Sequence, residues 1–322
     1  MSKKKSFGLL NGRELMVIGI ILGMIIVFSA LSSTFRTYPT LVSVLDSVYY
    51  VSLMAIGVTF PLITGGVDLS IGTGLVCYAL IGGYLVGQGV PVAAALLITV
   101  VIGVLVGILN GCLVALMDLP PFLATLCTCM ITRGLGPALC GSFGVSWPSA
   151  LSPDGWFRNI FKFKSAEGTV IPIGIVLIIV LVVLMSFVLK HTKVGRYTIA
   201  IGSNKEAARL AGVNVKFYHV TAYAISGLFA GLAGVAYAAT YVTIYPGTGA
   251  GIEMDAIGGA IVGGVSASGG AGTIFGAFLG VIVISLMKIG LPFIGLQANW
   301  QLIFTGVVLL GAVLIDIVKK KK

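Results

Sequence analysis

Charge is what this chain has least of. Only 9% of its 322 residues are Asp, Glu, Lys or Arg, where a soluble domain carries about 25%. Too little polar surface remains to wrap a water-soluble globule of this length, so a soluble enzyme, a nucleic-acid binder and a disordered scaffold are excluded. There are only two histidines, His191 and His219. They flank a polar stretch without a second ligand at metal spacing, and both read as surface residues. The five cysteines all fall in apolar runs. Cys127 and Cys129 lie two apart and face different sides of a helix, so they read as packing residues with no shared metal and no disulfide framework. What abounds is apolar: 58% of residues are hydrophobic and the mean hydropathy is +1.11. Forty-five glycines accompany them, as suits helices packed closely in a bilayer. The fold class is an all-α polytopic membrane protein.

Apolar segments long enough to span recur at 15–35, 44–63, 71–87, 91–117, 122–141, 171–189, 220–242, 256–265, 273–291 and 300–318, about ten elements in all. The eighth, 256–265, is too short to cross straight. It is Gly-rich and is expected to be broken or re-entrant, which a membrane tolerates only beside protein or a water-filled path. The first run lacks a small-residue cleavage site and does not read as a signal peptide. The net charge of +10 is a topology signal. If every element crosses from a cytoplasmic N-terminus, fourteen Lys and Arg lie inside: Lys3–Lys5 and Arg13, six within 190–216, and Lys319–Lys322. Only Arg36, Arg158, Lys162 and Lys164 lie outside. That asymmetry puts both termini in the cytoplasm. The whole of 1–322 reads as one transmembrane domain with an external loop at 142–170 and a cytoplasmic loop at 191–217. Trp147 and Trp156 in the outer loop are expected at headgroup level as interfacial anchors.

In the cytoplasmic loop, Ser203-Asn204-Lys205-Glu206 fits a capping box, with Ser203 as N-cap and the Glu206 carboxylate reaching back. Gly212 supplies a left-handed stop. The expected helix has about two turns, roughly 12 Å. Ala207, Ala208, Leu210 and Ala211 give it an apolar face, made either to enter a partner's groove or to lie on its own bundle.

Glu206-Ala207-Ala208 followed by Gly212 matches E-A-A-x-x-x-G, and 192–213 as a whole follows T-x-x-G-R-x-x-x-A-I-G-x-N-x-E-A-A-x-x-x-G-V. The chain thereby resembles permease subunits of bacterial ABC importers, in particular the ribose/galactose/xylose type. Gly65-Gly66-Val67-Asp68-Leu69-Ser70 after the second span, Asn110-Gly111, Pro121–Leu126 with Arg133-Gly134, and Val262–Thr273 carry the same resemblance in order. The resemblance implies a dimer of permeases, identical or not, in the cytoplasmic membrane. It further implies a cytoplasmic ABC ATPase that binds the ATP and Mg, and an extracellular or periplasmic sugar-binding protein. The chain has no G-x-x-x-x-G-K-[ST] loop. It is therefore expected to be non-catalytic, without a cofactor of its own and without a nucleic-acid partner. Ser203, Glu206, Ala207, Ala208 and Gly212 are the candidate coupling residues, Glu206 acting either through its cap or through a contact with the motor. The expected cargo is a monosaccharide; the alternatives are a nucleoside, a branched-chain amino acid or autoinducer-2, or an ion-coupled secondary transporter.

A neutral sugar needs hydrogen bonds more than ion pairs. Asp68, Ser70, Asn110, Thr125, Arg133 and Asp255 are the candidate pathway residues. Arg133 lies inside a span, where Arg costs about 2.5–3.5 kcal/mol, so it is expected to pair with Asp68 or Asp255. Lys288, near a span end, is expected to snorkel to the surface.

Overall fold

The computed structural model describes residues 12–165 and 169–320. Lys3–Lys5, Lys321 and Lys322, counted above as inward charges, lie outside the described residues. Twelve α-helices make up nearly all of the described fold: α1 (Gly12–Leu31), α2 (Tyr38–Ile63), α3 (Ser70–Gly87), α4 (Val92–Ala115), α5 (Pro121–Cys140), α6 (Gly174–His191), α7 (Lys193–Ser203), α8 (Lys205–Leu210), α9 (Val215–Thr240), α10 (Ile252–Val262), α11 (Ile274–Phe293) and α12 (Ala298–Lys320). Four two-residue strands pair as short ribbons: β1 (Val145–Ser146) with β4 (Thr243–Ile244), and β2 (Phe163–Lys164) with β3 (Val170–Ile171).

Among the described residues, eight helices are long and apolar enough to cross a membrane: α1 to α6, α9 and α11. In α12 the apolar stretch is shorter, Asn299–Leu314. The eighth expected element is α10, with 11 residues, or about 16 Å. An irregular arm leads into it from α9, turning at Gly247 and Gly251, both at positive φ. Helix boundaries follow local chemistry. Pro121 opens α5, where its missing N–H costs nothing. At the end of α2, Gly65 has φ +85° and donates to the Leu62 carbonyl, while Gly66 donates to Pro61. This Schellman stop turns the chain sharply toward α3.

The core is built on a glycine seam. Gly103, Gly107 and Gly111 line one face of α4, four residues apart, against Val220, Gly227 and Gly231 of α9. A methyl group on Gly227 would sit 2.2 Å from the Gly103 carbonyl oxygen, and one on Gly107 would sit 2.4 Å from that of Tyr223. The two backbones touch, the close approach that small-residue spacing permits in membranes. A second seam joins Gly259 of α10 and Gly263 just beyond its end to Gly276 and Gly280 of α11.

On the orientation set by the Lys and Arg asymmetry, one end of the bundle is inner and the other outer. At the inner end Gly270 donates to the Ile63 carbonyl (2.8 Å) and Arg13 to that of Gly264 (3.1 Å), so the 263–273 loop ties α1 and α2 together. At the outer end the loop does not behave as a membrane anchor. Trp147 is 2% exposed, lies over Gly82 and Gly83 of α3, and donates its indole N–H to the Ala79 carbonyl (3.0 Å). Its ring packs on Phe157. The Trp147 expectation fails because an indole buries more apolar area in the gap left by two glycines than at an interface. Trp156 remains half exposed. Arg158 donates to the Pro148 (2.7 Å) and Ala239 (2.9 Å) carbonyls, and burial pulls its pKa down. Lys162 pairs with Asp46 of α2 at 2.6 Å.

Candidate functional site

At the inner end, α7 and α8 form a short helical stretch between α6 and α9. Thr192 caps α7, and Ser203 closes it by donating to the Ile199 carbonyl (2.9 Å). The chain then extends at Asn204, whose Oδ1 accepts from the Ala207 N–H at 2.9 Å. Asn204, not Ser203, is therefore the N-cap of α8, and the capping box is not formed. Both residue types cap well, and the backbone needed by α7 decides between them. Glu206 does not reach back. It pairs with Arg209 at 2.9 Å, with both side chains exposed. The helix has six residues, about 9 Å long, not two full turns. Its C-terminal stop is as expected. Gly212 has φ +81° and donates to Arg209, and Val213 donates to Ala208.

Such a short helix has no stability of its own. One side chain fixes it to the bundle: Ala208 is buried with Ile201 of α7 and Val215 of α9. The apolar residues thus divide, with Ala208 inward and Ala207, Leu210 and Ala211 outward. Leu210 is 82% exposed.

Within the bundle, four of the six pathway candidates come together. Asp68 Oδ1 accepts from the Ser70 N–H (3.0 Å) and hydroxyl (2.6 Å). Asp68 Oδ2 accepts from Ser226 of α9 (2.7 Å). Asn110 donates to the Ser70 hydroxyl (2.9 Å) and accepts from Thr128 (2.6 Å). Thr125 donates to the Val67 carbonyl at 3.2 Å. The chain of donors runs Thr128 to Asn110 to Ser70 to Asp68, and joins α5, α4, α3 and α9. Each member is 3% exposed or less. The carboxylate is met by three donors, which is what a buried anion needs. Ser226 was missed in the sequence. It lies 158 positions from Asp68 and has no local signal.

Arg133 and Asp255 stand apart, and the expected pairing of Arg133 is not made. Asp255 is paired with Lys288 at 2.5 Å. Lys288 therefore does not snorkel freely; the buried start of α10 gives its ammonium a nearer partner than the headgroups. Arg133 is exposed on α5. With Thr73 and Thr132 it borders a narrow cleft closed by Gly247, Gly249 and Ala250 of the arm before α10. Glu253 lies at the base of that arm, its carboxylate accepting from the Gly251 N–H at 3.1 Å.

The second histidine also departs from expectation. His191 is exposed and stacks on Phe187 at 4.8 Å. His219 is 9% exposed, because its turn of α9 lies beneath α8 and the α4–α5 connection.

Residues 40–313 match the family model described as branched-chain amino acid transport system / permease component. The chain is 32% identical over 298 residues to the ribose import permease protein of Escherichia coli (strain K12), covering 92% of this chain and 91% of that one. It is 32% identical over 309 residues to the autoinducer 2 import system permease protein of Salmonella typhi, covering 95% and 86%. With the fructose import permease protein of Bifidobacterium longum it shares 31% over 301 residues, covering 91% and 87%. No solved structure matches.

Proposed function

On the premise that this chain belongs to the branched-chain amino acid transport system / permease component family, we propose that it carries a monosaccharide, a pentose or hexose, across the cytoplasmic membrane with energy from a separate ATPase. It is a multi-pass, non-catalytic permease subunit of a binding-protein-dependent ABC importer. The sugar reading draws on the ribose and fructose permeases among its relatives. The autoinducer 2 relative is as similar, so that ligand is the natural competitor in any uptake assay.

The observation that carries the reading is α8, capped at both ends, held by Ala208, and presenting Leu210 outward at the inner end. A ligand-driven change in a motor subunit shifts the permease only through contacts that differ between states. An anchored helix with an apolar outer face is such a contact. Gly212 keeps the turn beyond it, Ala207 lies on its outer face, and Ser203 ends the helix that supports it. Glu206 serves through its pair with Arg209. In the motor the ATP and Mg are bound by the partner.

The cargo path is assigned to the face of α5 that bears Arg133 and to the Gly247–Gly251 arm. An Arg exposed seven residues from the end of a span is costly toward lipid, so this face meets water or a second permease copy. The Asp68 set is assigned to holding the helices that back this face. Uptake of labelled ribose, fructose and autoinducer 2 by the assembled complex in vesicles tests the reading. ATP-dependent uptake of a sugar supports it. Uptake of autoinducer 2 alone replaces the cargo, and uptake that ignores ATP removes the coupling.

A further inference from the structure

At the inner end a cavity of about 390 Å³ opens between α8, the start of α9 and the α4–α5 connection. Basic groups converge on it from two elements, Lys205 and Arg209 from α8 and Lys216 and His219 from α9. Lys205 and Arg209 are four apart and share one face of their helix. His219 is more than nine-tenths buried, and neither ring nitrogen has a hydrogen-bond partner. A buried imidazole with both nitrogens unused is uncommon, since buried polar atoms are nearly always satisfied. One carboxylate, Asp118 at φ +54°, borders the same space.

We infer that this cavity binds a phosphate-bearing anion with attached hydroxyls, and that its occupant braces α8 against the bundle. Lys205 and Lys216 supply charge-assisted N–H donors to the phosphate, and His219, whose ring nitrogens are closed to water in this conformation, adds a third once its ring turns into the cavity. Asp118 opposes a bare anion but accepts from hydroxyl groups, which favours a sugar phosphate or a glycerol-bearing headgroup over inorganic phosphate. The volume suits a ligand of that size. Because the same α8 residues face the cavity, an occupant stiffens the helix that the proposed function assigns to coupling. A phosphorylated product accumulating inside would then slow further import.

The binding step is independent of cargo and motor. The permease is placed in nanodiscs of phosphatidylcholine alone and titrated with ribose 5-phosphate, inorganic phosphate and ribose, reading thermal unfolding. A saturable rise with ribose 5-phosphate, absent with ribose, is expected. Lys216→Gln and His219→Gln should each weaken it about ten-fold, the effect of one lost charge-assisted or buried hydrogen bond. Lys216 is exposed, so Lys216→Gln keeps the test valid should His219→Gln fold poorly. Nanodiscs containing phosphatidylglycerol identify the source. If the lipid raises the midpoint and blocks ribose 5-phosphate, the occupant is a headgroup. No rise with either phosphate source, or a rise the variants leave unchanged, overturns the site. In the assembled importer, internal ribose 5-phosphate should slow uptake by wild type and not by Lys216→Gln. Unslowed uptake overturns the bracing, whereas absence of any uptake tells against the cargo or coupling reading and leaves the binding result standing.

Discussion

Leu210→Ser is the most direct probe of coupling through α8. Fully burying a leucine side chain is worth about 1.5–3 kcal/mol, and 82% of Leu210 is still accessible in the isolated chain. If a motor subunit covers it, serine removes about 1.2–2.5 kcal/mol per docked helix, or about seven- to sixty-fold in motor affinity. The permease itself loses nothing, because the side chain touches little of its own bundle. The assay is titration of purified ATPase onto the permease in nanodiscs, together with the unfolding midpoint of the permease alone. An unchanged midpoint with weakened docking is expected. Ala208→Asp is the contrast: it buries a charge between α7 and α9 and should lower the midpoint as well. Wild-type motor affinity in Leu210→Ser would refute the argument that this exposed face is the coupling contact.

Other expected outcomes follow from the geometry. Asn204→Ala should loosen α8 by about 0.5–2 kcal/mol, and Ser203→Ala by much less; amide exchange at Ala207, whose N–H Asn204 holds, separates them. Gly227→Val should prevent folding or lower the thermal midpoint strongly. Even its first carbon would lie 2.2 Å from the Gly103 oxygen, and overpacking costs about 1–3 kcal/mol or more. Lys288→Met leaves the Asp255 carboxylate without its cation and should lower the thermal midpoint. Adding Asp255→Leu should recover most of that in the same unfolding assay, and no recovery would break the pairing. Asp68→Leu strands the Ser70 N–H, the Ser70 hydroxyl and Ser226, at about 1–3 kcal/mol for each donor left unmet. Asp68→Asn, which keeps an acceptor, should be the milder change by thermal unfolding.

What could be read in the sequence was local or collective. Runs of apolar residues fall on the eight helices long enough to span and on the shorter apolar stretches of α10 and α12, and the short Gly-rich 256–265 run announces a helix that does not cross alone. Gly212 has to be a stop because only its backbone reaches a left-handed turn cheaply. Contacts between distant segments were not legible. Asp255 had two cations within spans to choose from, and nothing in the order of residues says that α11 rather than α5 lies beside α10. Ser226 sits in an apolar run and looks like any small packing residue until α9 is seen against α3. Trp147 followed the usual habit of tryptophan at a membrane surface, and only the two glycines of α3 opposite it make burial the better outcome. At Ser203-Asn204 two good caps stood side by side, and the end of the preceding helix chose.

The outer loop is built as a clamp. Trp147 enters α3, Arg158 holds the end of α9, and Lys162 holds α2. Three spans are thus stitched at this end of the bundle, so shortening this loop should unseat the bundle rather than merely remove a contact. Phe143 and Leu151, 79% and 90% exposed, sit outside the stitching. Substitutions at these tips should leave the clamp beneath them in shape, and a protein engineer inserting an epitope on this side has the same two places to choose from.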